Sequence, residues 1–451
     1  MMPSATREAP QKPAFLAGAE RLWPGAFTSQ NENAGSIGSV LTYRGSRMFT
    51  ARTSLRLARS LVTKDQPIYV QYYVTARCNL ACEQCNIIYA NADAAESTTE
   101  QAVAVAENLG KIGVSVVLLT GGEPFARKDL PRIVKALSDS GIHVRIQTNG
   151  LASRRALAAC VEAGANDISI SLDSLEPGTQ DAINGGFDDS WTRAIRTTAL
   201  VNEVFPADAF AAFGCVIAPR NLEHVPDVIR FATEVGWWVS LVPAHTAAAE
   251  SPMGFRTYDR ALRFTPDSFE RVDAVLDDVE RMRDEGYNLY DSDAYLQDVR
   301  RFIKGQPVQW RERNAGVCDS PNLYFAIRPD GNMAVCCDWR MKSTVPVYAP
   351  EFPERYHDLA LRREIHDIAR ACPGCLFGSF PEITISARHV TTMAKRILFF
   401  GARDERPRLV RMTEGEMFAR AEAIRSRSPH LYGRREAVLP SLLSALPAPK
   451  A

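Results

Sequence analysis

The sequence lacks a long apolar run, a secretory signal and an excess of charge of either sign. No uncharged apolar stretch approaches the roughly 20 residues that a membrane-spanning helix needs. No N-terminal apolar segment is followed by a small-residue cleavage site, so we expect no signal peptide. The 53 Lys and Arg residues balance 53 Asp and Glu residues, so no basic field favours a nucleic-acid partner. We therefore expect neither a transmembrane segment nor a nucleic-acid substrate.

Cysteine is the residue type present in an unusual amount for a chain without a signal, with ten in 451 residues. In this context the cysteines fit metal ligation or catalysis better than a disulfide framework. A reducing cytoplasm is the expected setting. The content of 46% hydrophobic and 24% charged residues is that of a globular protein, and the length allows two or three domains.

The N-terminal part of the chain changes character near residue 48. Residues 1–45 are rich in Pro, Ala, Ser, Asn and Gly without periodicity, which predicts loose packing or disorder. From Met48 to Val62, apolar residues recur at helical spacing with interleaved arginines. This pattern predicts an amphipathic helix that covers the next domain, or else one that contacts a membrane surface or an acidic partner.

Six short β-branched or aromatic runs then alternate with segments of helical spacing. The predicted strands are Tyr69–Thr75, Ser115–Thr120, His143–Thr148, Asp167–Leu172, Phe210–Ala218 and Trp238–Pro243. The predicted helices between them include Glu100–Ile112, Leu130–Ser140, Arg154–Ala163 and Ser190–Val204. Near-continuous apolar strands between helices indicate an α/β fold with a parallel sheet. Right-handed crossovers would curl this sheet into a full or partial barrel, whose chemistry lies at the carboxyl ends of the strands.

Three cysteines follow the first predicted strand in the segment TARCNLACEQCN: Cys78, Cys82 and Cys85. A loop this short brings three sulfurs onto one concave side. A [4Fe–4S] cube has four irons, so three cysteines would leave one iron open to another ligand. A zinc loop is the alternative, but zinc needs a fourth ligand and no His or Cys lies close in sequence.

This CxxxCxxC segment after a first strand resembles the radical S-adenosylmethionine (SAM) superfamily. The second strand ends in Gly121-Gly122-Glu123-Pro124, a segment that holds the methionine amino group of SAM in that family. Paired glycines let a backbone approach a ligand closely, and Glu123 offers a carboxylate. The resemblance implies a partial (βα)6 barrel with a SAM-binding [4Fe–4S] cluster on Cys78, Cys82 and Cys85.

The resemblance assigns further SAM-binding positions to the later strands. Ser171 and Asp173 alternate onto one face of the fourth strand and would contact the ribose and carboxylate of SAM, or else form an internal hydrogen-bond network. Asn149 ends the third strand. Val216 and Val242, on the fifth and sixth strands, would frame the adenine or simply pack in the core.

Two residues depart from the family pattern. Gln84 precedes the third cysteine, where the family often has an aromatic residue that packs near adenine. Asn184 stands where the family usually has an arginine. It could donate a hydrogen bond to the SAM carboxylate, but without the arginine charge.

The mechanism that the resemblance implies begins with chelation of the open iron by the amino and carboxylate groups of SAM. One electron from the reduced cluster would then cleave the S–C5′ bond and give methionine and a 5′-deoxyadenosyl radical. This radical would take a hydrogen atom from the substrate, while the barrel excludes water and fixes the geometry. A donor such as flavodoxin or ferredoxin would supply the electron.

A second group of cysteines lies further along the chain. Its members are Cys318, Cys336, Cys337, Cys372 and Cys375. Their order resembles the SPASM/twitch extension of radical SAM enzymes and implies one auxiliary [4Fe–4S] cluster on Cys318, Cys336, Cys372 and Cys375, with an electron-transfer role. Adjacent strand residues point in different directions, so Cys337 is a spare or a substitute for Cys336. A zinc knuckle with the same four thiolates also fits the spacing.

The predicted module around these cysteines contains a hairpin through Tyr324–Arg328 and Met333–Val335, joined by Pro-Asp-Gly. Cys160 and Cys215 are predicted to be buried core thiols. The predicted domain plan is as follows: an N-terminal extension at 1–66, the barrel at 67–250, a helical connection at 251–315, the cysteine module at 316–385 and a helical tail at 386–451.

The substrate does not follow from these motifs. The leading hypothesis is dehydrogenation or rearrangement of a small-molecule or lipid-linked substrate, because the first 67 residues look too short and irregular for a leader-peptide-binding domain. A peptide-modifying maturase is the alternative within the class. An iron–sulfur electron carrier or scaffold is the alternative outside it. Trp237, Trp238 and His245, near the sixth strand, are candidates for substrate contacts or for ordinary packing.

Overall fold

The computed structural model describes residues 51–85, 95–187, 189–245, 262–312, 318–336, 339, 341–372, 374–401 and 407–432. The loosely packed segment predicted for residues 1–45 lies outside these ranges, as does Cys337. Cys336 is therefore the one of the two adjacent cysteines whose surroundings the structure describes.

Eight strands form one sheet. They are β1 (Tyr69–Thr75), β2 (Val116–Gly121), β3 (His143–Thr148), β4 (Ala165–Ser171), β5 (Ala211–Ile217), β6 (Trp238–Pro243), β7 (Tyr324–Ile327) and β8 (Met333–Ala334). Their order is β6-β5-β4-β3-β2-β1-β7-β8, and every described neighbouring pair is parallel except β7 with β8. The six predicted strands and the parallel sheet are confirmed.

Helices connect the strands and continue after them. The first nine are α1 (Ala51–Thr63), α2 (Thr99–Lys111), α3 (Leu130–Asp139), α4 (Arg154–Glu162), α5 (Pro177–Ile183), α6 (Ser190–Val204), α7 (Val225–Val235), α8 (Phe269–Asp284) and α9 (Asp293–Ile303). The remainder are α10 (Gln309–Glu312), α11 (Phe352–Tyr356), α12 (Leu359–Ala371), α13 (Ser379–Arg388), α14 (Val390–Gly401), α15 (Glu414–Arg425) and α16 (Pro429–Tyr432). A capping box begins α2, because Thr98 and Gln101 exchange side-chain-to-backbone hydrogen bonds. No helix among the described residues is both long and apolar enough to cross a bilayer.

The sheet is curled into a partial barrel. Val116 of β2 packs against Phe210, which precedes β5, and against Trp238 of β6. Neighbouring strands lie about 4.8 Å apart, so in a flat sheet β2 and β6 would be separated by about 19 Å. Contact between them therefore requires the curl that closes a barrel, and β1 to β6 follow the barrel in chain order.

The two faces of the curled sheet differ in exposure. Side chains that face the helices, such as Val117 and Ile146, are fully buried in the main core. Alternate side chains, such as Gln71, Leu118 and Gln147, are only partly buried. Because strand residues alternate between faces, these partly exposed residues line the inside of the barrel.

The hairpin predicted within the cysteine module belongs to the same sheet. β7 pairs in parallel with β1, with Tyr324 opposite Tyr69, and β8 then pairs with β7. An unpaired β1 edge would leave a row of backbone donors and acceptors exposed, and the hairpin covers it. The second cysteine group is thereby attached directly to the strand that leads into the first.

The helix α1 covers the beginning of the barrel strands, as the arginine-rich amphipathic pattern predicted. Leu57 packs with Phe210 and Trp238, and also with Tyr69 of β1. These residues lie at the amino ends of the strands, at the opposite end of the barrel from the cysteine loop. The helix therefore closes the floor of the barrel.

Candidate functional site

The residues singled out in the sequence meet at the carboxyl rim of the barrel. The cysteine loop follows β1, the Gly121–Pro124 segment ends β2, Asn149 follows β3 and Asp173 follows β4. Val216 and Val242 lie near the ends of β5 and β6, and both are partly exposed on the inside of the barrel. This rim is the end at which barrel enzymes carry their chemistry.

The thiols of the cysteine loop lie close enough to influence one another electrostatically. Burial raises the pKa of Cys82 well above its ordinary value, and the charges of Cys85, Asp173 and Cys78 raise it further. Burial likewise raises the pKa of Cys78, with contributions from Glu123 and Cys85. Packing acidic groups together in this way disfavours thiolates unless a positively charged group lies among them, and a bound metal centre supplies such a charge.

The donor set of this loop fits a cluster better than a single ion. Among the described residues, no three His, Cys, Asp or Glu side chains converge on the position of one metal ion. Cys78, Cys82 and Cys85 are each half-buried on the same short loop. A four-iron cube binds each of its thiolates at a separate iron, so its ligands need not converge on one position.

Glu123 lies behind the rim rather than on it. Its side chain is fully buried, and its oxygens accept hydrogen bonds from Thr148 Oγ1 at 2.9 and 3.0 Å, Asn149 N at 2.8 Å and Phe125 N at 2.9 Å. Burial raises its pKa to about 7 against the effect of these donors. The expected free carboxylate is thus engaged within the protein, where it ties the end of β2 to the end of β3.

The two glycines before Glu123 let two loops pack together. A Cβ atom on Gly121, whose φ is +147°, would lie 2.3 Å from the Thr75 carbonyl oxygen, and one on Gly122 would lie 2.1 Å from that of Arg77. Gly122 N donates to the Thr75 carbonyl at 2.8 Å, and Glu123 N donates to that of Arg77 at 2.8 Å. The sequence predicted that these glycines would let the backbone approach a ligand closely. In the structure they let it approach the backbone at the start of the cysteine loop.

Asn149 contacts the first cysteine directly. Its Nδ2 lies 3.5 Å from Cys78 Sγ, within range of an amide–sulfur hydrogen bond, and donates to Asn79 Oδ1 at 2.9 Å. The Asn149 backbone amide is one of the donors to Glu123. One residue thus connects the buried carboxylate with a candidate cluster ligand.

Asp173 and Gln84 form a pair that the sequence did not suggest. Gln84 Nε2 donates to Asp173 Oδ2 at 3.0 Å, and Val216 N donates to Oδ1 at 2.6 Å. Burial raises the pKa of Asp173 to about 7. Gln84 Oε1 is buried and has no hydrogen-bond partner in the described part of the chain. Ser171, on the same face as Asp173, accepts from Gln147 Nε2 at 3.2 Å.

Asn184 lies against the cysteine loop. Cys82 Sγ donates to Asn184 Oδ1 at 3.3 Å, and Asn184 Nδ2 donates to Ser190 Oγ at 2.9 Å. Its backbone carbonyl accepts from Ala81 N at 3.4 Å. The structure therefore places Asn184 beside Cys82, a candidate cluster ligand. Only 5% of Asn184 is exposed.

Three thiols of the second cysteine group, those of Cys318, Cys336 and Cys372, lie close enough to influence one another electrostatically. Burial raises the pKa of Cys318 to about 11, and the charges of Cys336 and Cys372 add to this shift. Burial raises the pKa of Cys372, and Cys336 contributes, whereas Arg311 and a hydrogen bond from Trp339 oppose the rise. The carbonyl of Cys375 accepts from Trp310 Nε1 at 3.3 Å. Cys160 and Cys215 lie fully buried in the core, as predicted.

His245 connects the barrel rim with this second group. Its Nε2 accepts from Leu376 N at 2.9 Å, one residue after Cys375, and its ring stacks on Phe377 with centroids 3.7 Å apart. Burial lowers the pKa of His245 to about 3, so the ring is neutral at physiological pH. Trp237 and Trp238 lie in the core, where they stack on Phe213 and Phe210, respectively.

Arg127 is a functional-site residue that sequence reasoning missed. Its guanidinium is buried and donates to the Val74 carbonyl at 2.7 Å and the Ser97 carbonyl at 3.0 Å, while Asp129 pairs with it at 2.8 Å. It thereby fixes the end of β1 just before the cysteine loop. Its position three residues after the Gly-Gly-Glu-Pro segment is the only sequence signal that could have drawn attention to it.

Comparison with known proteins agrees with this geometry. Residues 72–232 match the model of the radical SAM superfamily. The chain is similar to the PqqA peptide cyclase of Bradyrhizobium diazoefficiens (30% identity, over 38% of this chain and 44% of the relative) and to the mycofactocin maturase MftC of Mycobacterium ulcerans (30% identity, over 38% and 46%). The chain thus spans less than half the length of these curated relatives.

Among solved structures, Streptococcus suis SuiB bound to its precursor peptide SuiA is similar in fold, with a TM-score of 0.53 at 16% identity over 78% of this chain and 77% of that one. Residues 72–232, which match the family model, contain the first cysteine loop, the Gly-Gly-Glu-Pro segment, the last four residues of β1 and the whole of β2 to β5. Residues 72–232 of this chain thus form a domain of the radical SAM superfamily, whose members use a [4Fe–4S] cluster and SAM.

Proposed function

We propose that this enzyme modifies a peptide by radical SAM chemistry, as a maturase of the SPASM/twitch type. The observation that carries the proposal is that both groups of cysteines are attached to one sheet. The first group lies at the barrel rim, and the second lies beside the hairpin β7–β8. Two similar proteins are described with peptides: the PqqA peptide cyclase by its name and SuiB by its complex with SuiA. The comparisons therefore favour the peptide alternative over the small-molecule or lipid-linked substrate expected from the sequence.

In this proposal Cys78, Cys82 and Cys85 hold the catalytic cluster. When bound, the reduced cluster and SAM supply a carbon-centred radical that takes hydrogen from the substrate. Asn149 holds an amide against one sulfur, and Asn184 contacts another. The Asn184 amide is held in its orientation by the hydrogen bond from Nδ2 to Ser190 Oγ.

SAM would bind along the inside of the rim. The backbone of Gly121–Pro124 lies beside the cysteine loop and is held there by the hydrogen bonds of Gly122 and Glu123. Ser171, Val216 and Val242 line the same inner face. Asp173 acts through Gln84, because both of its oxygens are already engaged by protein donors. Their task is to orient SAM and to exclude water from it.

The second group of thiols would hold the auxiliary cluster. Cys318, Cys336, Cys372 and Cys375 supply four ligands, and four protein thiolates would leave no iron open to substrate. When bound, such a cluster would supply electron transfer, and an external donor such as flavodoxin or ferredoxin would supply the electron for SAM cleavage. His245, which spans from the end of β6 to the residue after Cys375, fixes the second group relative to the rim.

The remaining parts of the chain fit this plan. The domain boundaries proposed from the sequence place the barrel at 67–250 and the cysteine module at 316–385, with helical segments at 251–315 and 386–451. Hairpin β7–β8 makes the module an extension of the barrel sheet. We place the enzyme in the cytoplasm, where thiols stay reduced.

The test uses the anaerobically reconstituted enzyme with dithionite and SAM. Release of 5′-deoxyadenosine from the wild type, and its loss in the Cys78→Ala/Cys82→Ala/Cys85→Ala variant, would support radical chemistry at the rim. No release from cluster-replete wild type would favour the electron carrier or scaffold.

The substrate class is tested with a low-molecular-mass extract of the source cells, split into untreated and protease-treated halves. We expect the untreated half to stimulate 5′-deoxyadenosine release and the treated half to lose this effect. Stimulation that survives the protease would contradict a peptide substrate and favour a small molecule.

A further inference from the structure

The inside of the barrel contains an arginine. On β3, Val144 and Ile146 are fully buried against the helices, while Arg145 and Gln147 occupy the alternate, inward positions and are partly exposed. The hydrogen bonds of Gln147 confirm the direction, because they reach across to Ser171 at 3.2 Å and to Ser169 at 2.7 Å on the neighbouring strand. Arg145 therefore carries its charge within the barrel.

The surroundings of this guanidinium are aromatic. Arg145 Cζ lies 4.7 Å from the centroid of the Phe210 ring. Phe210 in turn stacks on Trp238 at 6.3 Å and meets the edge of Tyr290 at 5.3 Å. A cation–π contact supplies part of the compensation for a desolvated cation but satisfies none of its hydrogen-bond donors.

Among the described residues, Arg145 lacks the carboxylate partner that several other buried arginines have. In the part of the chain that the structure describes, no carboxylate oxygen lies within 4.0 Å of it, and its Nε is buried without a hydrogen-bond partner. By contrast, the well-buried Arg127 pairs with Asp129, Arg300 with Asp273, and Arg388 with Asp319.

The acidic side chains nearest in the sheet register are engaged elsewhere. Asp167 lies opposite Arg145 on β4, but its Oδ2 contacts His143 Nε2 at 2.6 Å. Asp291 accepts from Ser240 Oγ at 3.0 Å and from Leu241 N at 2.6 Å. Neither of these two carboxylates lies within 4.0 Å of the guanidinium, so neither forms an ion pair with Arg145.

We propose that Arg145 binds a carboxylate of the substrate inside the barrel. This inference rests on the proposed function, and for a peptide the group would be an acidic side chain or the terminal carboxylate. A partly desolvated cation without an ion-pair partner is unfavourable to folding. Binding of an anion would therefore supply the electrostatic stabilisation that the guanidinium lacks in the free enzyme. A single guanidinium matches one negative charge, and its planar fork suits a carboxylate.

The carboxylate of SAM is a poor match for this position. Arg145 lies three residues before the end of β3 at Thr148, which corresponds to about 10 Å along the strand. The guanidinium also points toward Phe210, near the amino end of β5, rather than toward the cysteine loop. The anion it binds therefore reaches below the level of the SAM-binding rim.

The first experiment compares two probes that differ only in charge: acetyl-Phe-Glu-Phe-amide and acetyl-Phe-Gln-Phe-amide. Binding to the reconstituted holoenzyme, without reductant, is followed by tryptophan fluorescence, since Trp238 stacks on Phe210. We expect the wild type to prefer the Glu peptide at least tenfold and Arg145→Gln to lose that preference. Arg154→Gln is the matched control, because Arg154 pairs with Glu203 on the surface. A preference that persists in Arg145→Gln, or no preference in the wild type, would overturn the inference.

A second measurement does not depend on the peptide sequence. Arg145→Met should raise the melting temperature of the holoenzyme, by about 2–4 °C, because it removes a charge without a partner. Arg388→Met should lower it, because it leaves Asp319 without that partner. A fall in both variants would show that Arg145 is a structural cation. Release of 5′-deoxyadenosine, measured on the same preparations, reports separately on the proposed function, which can stand even if Arg145 proves structural.

Discussion

Gln84 Nε2 donates a hydrogen bond to Asp173 Oδ2 at 3.0 Å, so the cysteine loop is fixed to the end of the fourth barrel strand. Because Nε2 of the Gln84 amide is engaged by Asp173, Oε1 faces away from this carboxyl group. Oε1 is a buried acceptor without a protein donor in the described residues. A hydroxyl or amino group of bound SAM would satisfy it.

We predict that Gln84→Leu weakens SAM binding to the reconstituted enzyme by about tenfold, since it removes a buried hydrogen-bond pair. Equilibrium dialysis under anaerobic conditions would measure this loss. Gln297→Leu is a matched control, because Gln297 also donates to a carboxylate, Glu280, but on the surface. Equal affinities of the wild type and Gln84→Leu would show that the amide only positions the loop.

Asp173 should make stability depend on pH. Burial raises its pKa from 3.8 to about 7, so the folded protein holds a proton that the unfolded chain has already released. The free energy of unfolding therefore falls as the pH rises from about 4 to 7, by at most about 1.4 kcal/mol per pH unit from this group.

Asp173→Asn removes this contribution while keeping an oxygen for Val216 N, so the variant should show a shallower decline. Urea unfolding of the protein without SAM, between pH 5.5 and 7.5, measures both slopes. Glu123, whose pKa is also raised to about 7, keeps its own contribution in both proteins. If the unfolding free energies of the wild type and Asp173→Asn change with pH at the same rate, Asp173 does not titrate between pH 5.5 and 7.5.

Gly122 should tolerate no side chain. In Gly122→Ala the new Cβ would lie 2.1 Å from the carbonyl oxygen of Arg77, and a backbone atom cannot move aside as a flexible side chain can. We expect a loss of about 3 kcal/mol or more in unfolding free energy, together with lower iron content after reconstitution. Gly415→Ala, at an exposed helix position with nothing within 4 Å, should change stability by less than about 1 kcal/mol.

Asn149 should raise the reduction potential of the cluster beside it. Its Nδ2 lies 3.5 Å from Cys78 Sγ, and hydrogen bonds to sulfur stabilise the more negative, reduced state. Asn149→Ala should therefore shift the potential of the first cluster to a more negative value, as measured by a redox titration monitored by electron paramagnetic resonance. An unchanged potential would mean that the amide only orients the loop.

Iron and acid-labile sulfide per chain should distinguish the two thiol groups. We expect about eight irons in the wild type and about four when Cys78, Cys82 and Cys85 are replaced by alanine. Replacing Cys318, Cys336, Cys372 and Cys375 should also leave about four. About four irons and one zinc per chain in the wild type would show that the second cysteine group is a zinc knuckle.

The local patterns of the sequence predicted the strands, most of the barrel helices and the position of the cysteine loop. Strand identity follows from apolar runs within a few residues, and the cysteine spacing lies within one short segment. The inward direction of Ser171 and the burial of Cys160 follow from the same local periodicity. Family resemblance then connected these segments with cluster and SAM chemistry.

Other features depend on residues far apart in the chain, and only the tertiary structure decided them. The donors to Glu123 come partly from β3, the partner of Gln84 comes from β4, and the contact of Cys82 comes from Asn184. Pairing of β7 with β1 depends on which sheet edge is left free. Nothing near Arg145 in sequence shows that no carboxylate of the described residues pairs with it. The sequence alone therefore determined the class of chemistry. Packing across the barrel decided which side chains line the site and which only hold the lining residues in position.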